Sequence, residues 1–295
     1  MASTKDLKNR ISTVQNTQQT TRAMKMVSAA KLRRAQDAIV SNRPYAKSVS
    51  RLIKEVGAQQ DDLSTSPLLI KEAGEQVSTS GLNACLVMVT SDRGLCGGFN
   101  SAIIKAAEKW TNENRNKYKN ISLVCVGKKG NEYFSKRQSI TLFMQFGKKV
   151  TFKKAEELSD WLVNQYLTNE ADEVHIIYNE FKNAMTQEVV VERQLPLLDN
   201  SLGLESEESV SFVLKPNAKG LLDALIEKHF SIQIFRVLLE SQASEHGSRM
   251  SAMESATKNA EEMIRSLTLQ YNKQRQAGIT KELLEIISGS ESQKA

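Results

Sequence analysis

The sequence contains few residues that interrupt helices. Only four of its 295 residues are proline, and they stand at positions 44, 67, 196 and 216. Because proline ends or kinks a helix, long stretches toward both ends of the chain are free to be helical. The low aromatic share of 6% fits helices made mainly of Ala, Met, Leu, Lys, Glu and Gln. The composition therefore favours long helices.

The sequence also lacks a candidate membrane span and an N-terminal signal pattern. No apolar stretch approaches the ~18 residues that a spanning helix needs, and the first residues, MASTKDLKNR, are charged. The three cysteines, Cys85, Cys96 and Cys125, are odd in number and have no CxxC spacing. They indicate free thiols in a reducing compartment. We therefore expect a cytosolic chain, or one that docks on a membrane-bound partner.

Familiar catalytic and metal-binding patterns are missing. His175, His229 and His246 have no partner at ligand spacing, and there is no nucleophile elbow or plausible acid pair. The glycines of SDRGLCGGFN (91–100) do not form GxGxxG. We interpret that segment and GKKG (127–130) as structural turns, with nucleotide binding at 91–100 as the alternative. The sequence predicts no catalytic residue, no metal and no cofactor.

Both ends of the chain show apolar or small residues at helical spacing. Between residues 5 and 43 they are Leu7, Ile11, Val14, Met24, Ser28, Leu32, Ala35 and Ile39. Between residues 220 and 287 they are Ile232, Phe235, Leu239, His246, Met250, Met253, Ala260, Met263, Leu267 and Tyr271. Steps of three and four residues indicate a coiled-coil-like seam. A helix of ~65 residues would be ~100 Å long, so we expect the two termini to pair into a rod.

The middle of the chain alternates between strand and helix patterns. The predicted strands are 82–90, 121–127, 139–146, 173–181 and 188–196, with the last at an edge. The predicted helices are 101–114, a short one through residues 133–134, and 155–167. This alternation favours an α/β fold with an open, mostly parallel sheet flanked by helices. We interpret residues 58–78 and 197–209 as loops.

These patterns divide the chain into three parts. They are an N-terminal shaft helix (1–57), an α/β base domain (80–216) and a C-terminal shaft helix (217–290). The expected architecture is therefore an α/β domain joined to a long antiparallel coiled coil.

Positive charge is concentrated in the first part. Residues 1–57 hold twelve Lys and Arg against three Asp and Glu, which gives this part a net charge of +9, compared with +6 for the whole chain. In residues 217–295 the positive and negative charges are equal in number. The simplest explanation is a solvated helix face, and contact with acidic protein surfaces is the alternative. We expect no nucleic-acid partner, because the basic residues are spread along the helix and no aromatics lie between them to stack bases.

Four segments of the chain resemble the gamma subunit of F-type ATP synthases, in the same order and spacing. They are NRISTVQNTQQTTRAMKMVSAAKLRRAQ (9–36), SDRGLCGGFN (91–100), SEHGSRMSAMESATKNAEEMI (244–264) and LQYNKQRQAGITKELLEIISGS (269–290). The family's terminal signature is met by Ile279, Thr280, Glu282, Glu285 and Gly289. Ser290 stands where alanine is usual, which is a small-for-small change.

The resemblance implies a non-catalytic, rotating central-stalk subunit. In the family, the paired terminal helices enter a ring of catalytic and non-catalytic subunits, and the α/β domain sits on the membrane rotor ring of c subunits beside the epsilon subunit. Proton flow turns the rotor ring and stalk, and the stalk shifts the catalytic subunits between states of different nucleotide affinity. We therefore expect a peripheral protein on the cytoplasmic face of a bacterial inner membrane.

The resemblance also implies contacts with the catalytic subunits near the C-terminus. Arg275 and Gln276 lie where the family's shaft touches a catalytic-subunit loop, and Thr280 and Glu282 continue the polar stretch. Arginine offers a rigid fork of donors, and glutamine both donates and accepts. The competing interpretation is ordinary polar residues on the outer face of a coiled coil.

Further partner contacts are expected elsewhere on the shaft, at Met24, Lys25 and Arg249. Lys25, with Arg33 and Arg34, is expected to face acidic surface of the catalytic subunits. Two other functions remain as alternatives. One is an α/β enzyme with a helical dimerisation rod, and the other is a coiled-coil organiser of nucleic acid.

Overall fold

The computed structural model describes residues 4–57, 68–70, 81–137, 140–147, 149–183, 186–198 and 218–292. Its helices are α1 (Thr4–Gly57), α2 (Phe99–Asn114), α3 (Lys128–Phe134), α4 (Phe152–Leu167) and α5 (Ala218–Ser292). Its strands are β1 (Leu69–Ile70), β2 (Asn83–Val89), β3 (Asn120–Val126), β4 (Leu142–Met144), β5 (Glu173–Phe181), β6 (Gln187–Leu195) and β7 (Leu197–Leu198).

The chain separates into two compact units. The helix-pair unit comprises Met1–Ser28 and Met250–Ala295, and the sheet unit comprises Ala29–Arg249. Both long helices contribute residues to each unit. Helix α1 continues past Pro44, which the prediction placed just beyond the helical pattern. Pro44 and Val40 are both exposed, so the carbonyl of Val40 that proline leaves without a donor faces water.

The sheet unit contains a five-stranded sheet in the order β4-β3-β2-β5-β6. The first four strands are parallel and β6 is antiparallel, so the predicted mostly parallel sheet with a fifth strand at its edge is confirmed. The central strand β2 is buried along almost its whole length, as expected for a parallel strand covered on both faces.

Two strand predictions need correction. The strand expected at 139–146 has only the three residues of β4, because it lies at the sheet edge and pairs with β3 alone. The segments interpreted as loops contain β1 and β7, which pair in parallel. Two-residue strands carry no periodicity that a sequence pattern could show. The rest of those two segments lies outside the described residues.

Hydrophobic clusters cover both faces of the sheet. On one face, Leu86 and Met88 of β2 pack with Phe99 and Ile103 of α2 and with Phe134 of α3. The other face packs against α4 and both long helices. Its buried members include Val87, Val89, Ile53, Leu158, Leu162, Ile226 and Phe230. Successive side chains of a strand point to opposite faces, so an apolar strand such as β2 feeds both clusters.

The helix-pair unit contains the predicted seam. The inward positions of α1 are Leu7, Ile11, Val14, Gln18, Thr21, Lys25 and Ser28, and those of α5 are Met250, Met253, Thr257, Ala260, Ile264, Leu267, Tyr271 and Gln274. All are buried or partly buried, and both series alternate steps of three and four residues, which is the coiled-coil repeat. The predicted pairing of the terminal helices is therefore confirmed.

Two methionines assigned to the seam lie outside this repeat. Met263 is 52% exposed, and the repeat passes through Ile264 instead. Met24 is partly buried beside Lys25, which occupies the inward position. The apolar pattern selected Met24 because the true seam positions between Val14 and Ser28 are polar, and it selected Met263 because its neighbour Ile264 is apolar as well.

Candidate functional site

The C-terminal end of α5 extends beyond the described part of its partner helix. Thr21 contacts Thr257 and Lys25 contacts Glu254, so residue numbers fall along α5 as they rise along α1 and the helices are antiparallel. Continuing this register places Thr4, the first described residue of α1, opposite Gln274. Every residue from 275 to 290 is exposed. This segment, residues 275–290, is called the α5 tip below.

The α5 tip carries a concentration of exposed aliphatic side chains. They are Ile279, Leu283, Leu284, Ile286 and Ile287, which are between 49% and 72% exposed. Residues 279, 283 and 286 or 287 are spaced by three or four positions and share one helix face. Isolated exposed apolar residues are normal, but a contiguous group indicates a surface that another molecule covers.

Four of the seven predicted site residues lie on the α5 tip. Arg275, Gln276, Thr280 and Glu282 are all exposed, and the Thr280 hydroxyl donates to the Gln276 carbonyl at 3.0 Å within the helix. The structure thus brings these residues together within two turns. The described part of α1 does not reach this segment, and the choice between a partner contact and an ordinary polar face stays open to experiment.

The N-terminal candidates lie in the helix-pair unit. Met24 is partly buried. Lys25 Nζ lies 3.3 Å from Glu254 Oε2, and the side chains are 39% and 42% exposed. The hydrogen bond and charge of Lys25 lower the pKa of Glu254. Lys25 is therefore engaged within its own chain.

Arg249, in contrast, is almost fully covered, with 8% of its surface exposed. Its guanidinium lies 2.6 Å from Glu245 Oε1 and donates to the carbonyls of Arg93 and Gly94 at 3.2 Å. The next residue back, Ser248, donates to the Cys96 carbonyl at 2.7 Å. These bonds hold the loop after β2 against α5. The contacts that the structure shows for Arg249 are therefore structural ones within the sheet unit.

That loop, residues 91–98, follows β2 at the carboxyl edge of the sheet. Its Leu95 has φ of 62°, which is uncommon for a side chain of this size, and is 64% exposed. Ser91 and Asn100 close the loop, since the Ser91 amide donates to Asn100 Oδ1 at 3.0 Å and Asn100 Nδ2 donates to Ser91 Oγ at 2.8 Å. Ser91 and Asn100 therefore bond to each other within the motif.

Asp92 joins three loops at the same edge. Its carboxylate accepts hydrogen bonds from the backbone amides of Lys128 at 3.0 Å, Phe146 at 3.3 Å and Gly147 at 2.6 Å. These residues follow β3 and β4. A nucleotide phosphate at this edge would compete with the Asp92 carboxylate for the same donors and be repelled by it. The arrangement favours a structural role for residues 91–100.

GKKG also has a packing explanation. Gly127 has φ of 98°, and a Cβ added there would lie 2.0 Å from the Thr90 carbonyl oxygen. A Cβ on Gly130 would lie 2.9 Å from Thr90 Oγ1, which accepts a bond from the Gly130 amide. Both glycines allow β2 and the start of α3 to approach closely.

Two buried histidines and two buried cysteine thiols of the sheet unit are held in neutral forms. Burial lowers the pKa of His229 and of His246 to about 4, with nearby Arg236 and Arg249 respectively adding to the effect. Burial raises the pKa of the Cys85 thiol to about 11 and that of Cys125 to about 12. Such thiols are poor nucleophiles.

Metal ligation and membrane insertion find no support in the parts of the chain that the structure describes. No group of three or more His, Cys, Asp and Glu side chains is arranged to hold a metal ion there. In the same residues, none of the helices combines the length and the hydropathy that a membrane crossing requires.

Comparison with known proteins identifies the family. Residues 3–292 match the family described as ATP synthase. The ATP synthase gamma chains of Geotalea uraniireducens and Geobacter metallireducens are 46% and 47% identical to this chain, and each alignment covers 100% of both chains. The chain belongs to the ATP synthase gamma-chain family.

Solved structures of ATP synthases contain chains with the fold of this gamma-family chain. The central stalk of the Tetrahymena thermophila mitochondrial ATP synthase is 26% identical, with a TM-score of 0.57 over 80% of this chain and 98% of that one. A chain of the Euglena gracilis mitochondrial ATP synthase has a TM-score of 0.64 at 19% identity, over 98% of this chain and 94% of that one. Because the identity is only 19%, this second match supports a shared fold and nothing more.

The polar seam and the aliphatic stripe of the α5 tip were absent from the predicted site. A strict count of three- and four-residue steps from Val14 leads to Gln18, Thr21 and Lys25, so a signal for the polar seam existed. The exposure of Ile279 and Leu283 had no such signal, because the same spacing fits a buried coiled-coil face.

Proposed function

We propose that this gamma-family chain is the non-catalytic, rotating central-stalk subunit of a proton-translocating ATP synthase. It couples rotation of the membrane rotor ring to conformational change, and so to ATP synthesis or hydrolysis, in the catalytic subunits. The observation that carries the proposal is the α5 tip, an exposed helix with an aliphatic stripe. Solved relatives of this chain include a central stalk of an ATP synthase. We therefore expect the ring of head subunits to cover the aliphatic stripe.

The α5 tip is proposed to enter that ring. Full burial of one aliphatic side chain contributes about 1.5–3 kcal/mol, so the stripe of Ile279, Leu283 and Ile286 supplies a strong apolar anchor. An apolar contact is not directional and permits the helix to turn against its surroundings.

Polar residues at the base of the α5 tip are proposed to make the directional contacts. Arg275 presents a fork of donors suited to a carboxylate, Gln276 both donates and accepts, and Thr280 and Glu282 lie one to two turns further on. Their contacts with a catalytic subunit differ between its open and closed forms, and this difference shifts the affinity for nucleotide.

The other predicted contacts are also proposed, but two of these residues already have partners within the chain. Met24 is proposed to lie at the ring-facing surface. Lys25 and Arg249 already bond within the chain, and a contact with a ring subunit would have to share those bonds. Arg33 and Arg34 are exposed and are proposed to face acidic surface.

The remaining partners are proposed for the middle of the chain. The base domain, residues 80–216, is proposed to sit on the rotor ring beside the epsilon subunit. That placement makes the protein peripheral on the cytoplasmic face of a bacterial inner membrane. The shaft segments 1–57 and 217–290 complete the proposed division of the chain.

The test is a double substitution on the α5 tip, Arg275→Ala with Gln276→Leu. We expect slower or uncoupled ATP-driven proton pumping in membranes, with the subunit stoichiometry of the complex unchanged. A matched control is Arg115→Ala with Asn116→Leu, which changes the same chemistry at exposed positions after α2. Full pumping in the tip variant would remove Arg275 and Gln276 from the contact set, and loss of the aliphatic anchor is tested separately below.

A further inference from the structure

The three inward positions of α1 between Val14 and Ser28 are all polar. Gln18, Thr21 and Lys25 follow Leu7, Ile11 and Val14 in an unbroken three- and four-residue repeat, and each is partly buried. Polar residues at seam positions reduce the apolar area that the two helices bury. Their presence is explained when they bond to specific partners across the seam.

Such partners exist on α5. The hydroxyls of Thr21 and Thr257 lie 2.8 Å apart. Thr257 can donate to the Met253 carbonyl at 2.7 Å and Thr21 to the Gln18 carbonyl at 3.0 Å, so either hydroxyl can be the donor in the bond between them. One turn further along, Glu254 accepts Lys25 on one oxygen at 3.3 Å and lies 3.7 Å from Lys258 through the other.

The seam positions that flank these bonds include Ser28 and Ala260, whose small side chains provide shallow knobs and holes. A slide by one heptad, ~10 Å along the axis, would place Val14 opposite Tyr271 and Ile11 opposite Gln274 in one direction. It would place Thr21 opposite Ile264 or Met250, neither of which offers an oxygen to its hydroxyl.

We infer that Thr21, Lys25, Glu254 and Thr257 form a register lock, which fixes the position of α1 along α5. Lys25 is then a positioning residue that acts through Glu254, and its main partner is in its own chain. The inference on the lock concerns this chain alone. Its consequence for coupling rests on the proposed function, because a pair of helices transmits torque without loss only when the helices do not slide past each other.

The first arm of the test measures the register in the isolated full-length chain. Val14→Cys with Ile264→Cys reports the native register, and Val14→Cys with Tyr271→Cys reports a one-heptad slide. The native cysteines are buried in the sheet unit. With the lock intact, oxidation should cross-link the first pair and leave the second open.

Charge reversal then distinguishes a register lock from a contact between Lys25 and another subunit. Lys25→Glu should raise cross-linking of the displaced pair severalfold, as should Thr21→Val, which keeps the shape and removes the hydroxyl. Combining Lys25→Glu with Glu254→Lys should restore the native pattern. An unchanged cross-linking pattern in both single variants, or no restoration in the charge-swapped chain, would overturn the lock.

The second arm measures protons pumped per ATP hydrolysed in membranes that contain the assembled complex. Lys25→Glu should lower this ratio, and the added Glu254→Lys should recover it. If Lys25 instead served an acidic surface on a catalytic subunit, the charge-swapped chain would pump no better than the single variant, and Lys25 would not act through Glu254. A third outcome is that the charge-swapped chain recovers the native cross-linking but no variant changes the number of protons pumped per ATP. That outcome would support the register lock and count against the proposed stalk function.

Discussion

At the residue scale, the parts of the sequence that looked like chemistry are explained by packing. Asp92 ties together the loops after β3 and β4, and Gly127 leaves room for the Thr90 carbonyl. Sequence patterns indicated that these segments were turns, since the glycines did not match a phosphate-binding spacing. They could not indicate which group each turn accommodates, because Thr90 and Gly127 meet only in the folded sheet.

A pair of glycine substitutions tests this explanation. Gly127→Ala should destabilise the chain strongly, because φ is 98° and the new Cβ would lie 2.0 Å from a carbonyl oxygen. Gly94→Ala is the matched control, since an added Cβ there meets nothing within 4 Å. Thermal unfolding of the full chain should show a clear drop in Tm for the first variant and little change for the second. Equal Tm values would contradict the close approach.

Two buried histidines predict a pH dependence of stability. The pKa of His229 and of His246 is about 4 in the folded chain, below the ordinary value of 6.5. The unfolded chain therefore takes up these protons first, and stability is lost as the pH falls from 6.5 to 4. A pKa difference of this size corresponds to about 3 kcal/mol per histidine.

The measurement is the Tm of the full chain between pH 7 and pH 4, compared with that of His246→Asn. The variant should lose less stability across the window, because asparagine does not titrate. Glu173, whose pKa is lowered to about 2 chiefly by a hydrogen bond from His175, contributes a separate loss that begins below its ordinary value of 4.5. An identical slope in variant and parent would rule out His246 as a source.

At the element scale, length and strong periodicity decided what the sequence could predict. The long helices and the strands β2, β3, β5 and β6 were predicted to within a few residues, because each carries a sustained pattern. Strand β4 was predicted too long, and β1 and β7 were missed, because edge pairing and two-residue strands depend on tertiary contacts. The α5 tip was recognised as helix, but its exposure depends on where α1 begins.

The aliphatic stripe of that tip supports an element-scale prediction. The triple change of Ile279, Leu283 and Ile286 to serine should leave the Tm of the isolated chain nearly unchanged, since all three are at least 54% exposed. The same variant should bind the head subunits much more weakly, because the burial that anchors the helix is lost. Co-purification of head subunits with the tagged chain measures the effect.

Its control is the buried Ile226→Ser in the sheet unit, which should lower the Tm of the isolated chain itself. A large Tm drop in the tip variant would show that the stripe is covered within the chain. Undiminished co-purification would show that the ring does not depend on it.

At the scale of the whole molecule, the division of the chain at residues 80 and 216 stays a prediction. The main hydrophobic cluster of the sheet unit includes Val49 and Ile53 from α1 and Phe230 from α5. A fragment of residues 80–216 keeps the sheet and α4 but loses these side chains. We expect it to melt cooperatively, as predicted from its own core, at a lower temperature than the full chain.

The magnitude of that loss can be checked one residue at a time. Phe230 is fully buried. Phe230→Ala in the full chain should lower the free energy of unfolding by about 3–5 kcal/mol. Denaturant unfolding followed by circular dichroism measures the change. A fragment as stable as the full chain, or an unaffected Phe230→Ala variant, would show that the terminal helices add nothing to the base domain.

The proposed function makes this chain the rotating stalk of an ATP synthase, with no bond chemistry of its own. It is tested most directly by ATP-driven proton pumping in membranes from cells that lack the chain, with and without the chain restored. We predict that pumping is absent without it and returns with it, with one copy of the chain per purified head complex, and that the purified chain alone hydrolyses no ATP. Full pumping without the chain, or nucleotide turnover by the chain alone, would contradict the account.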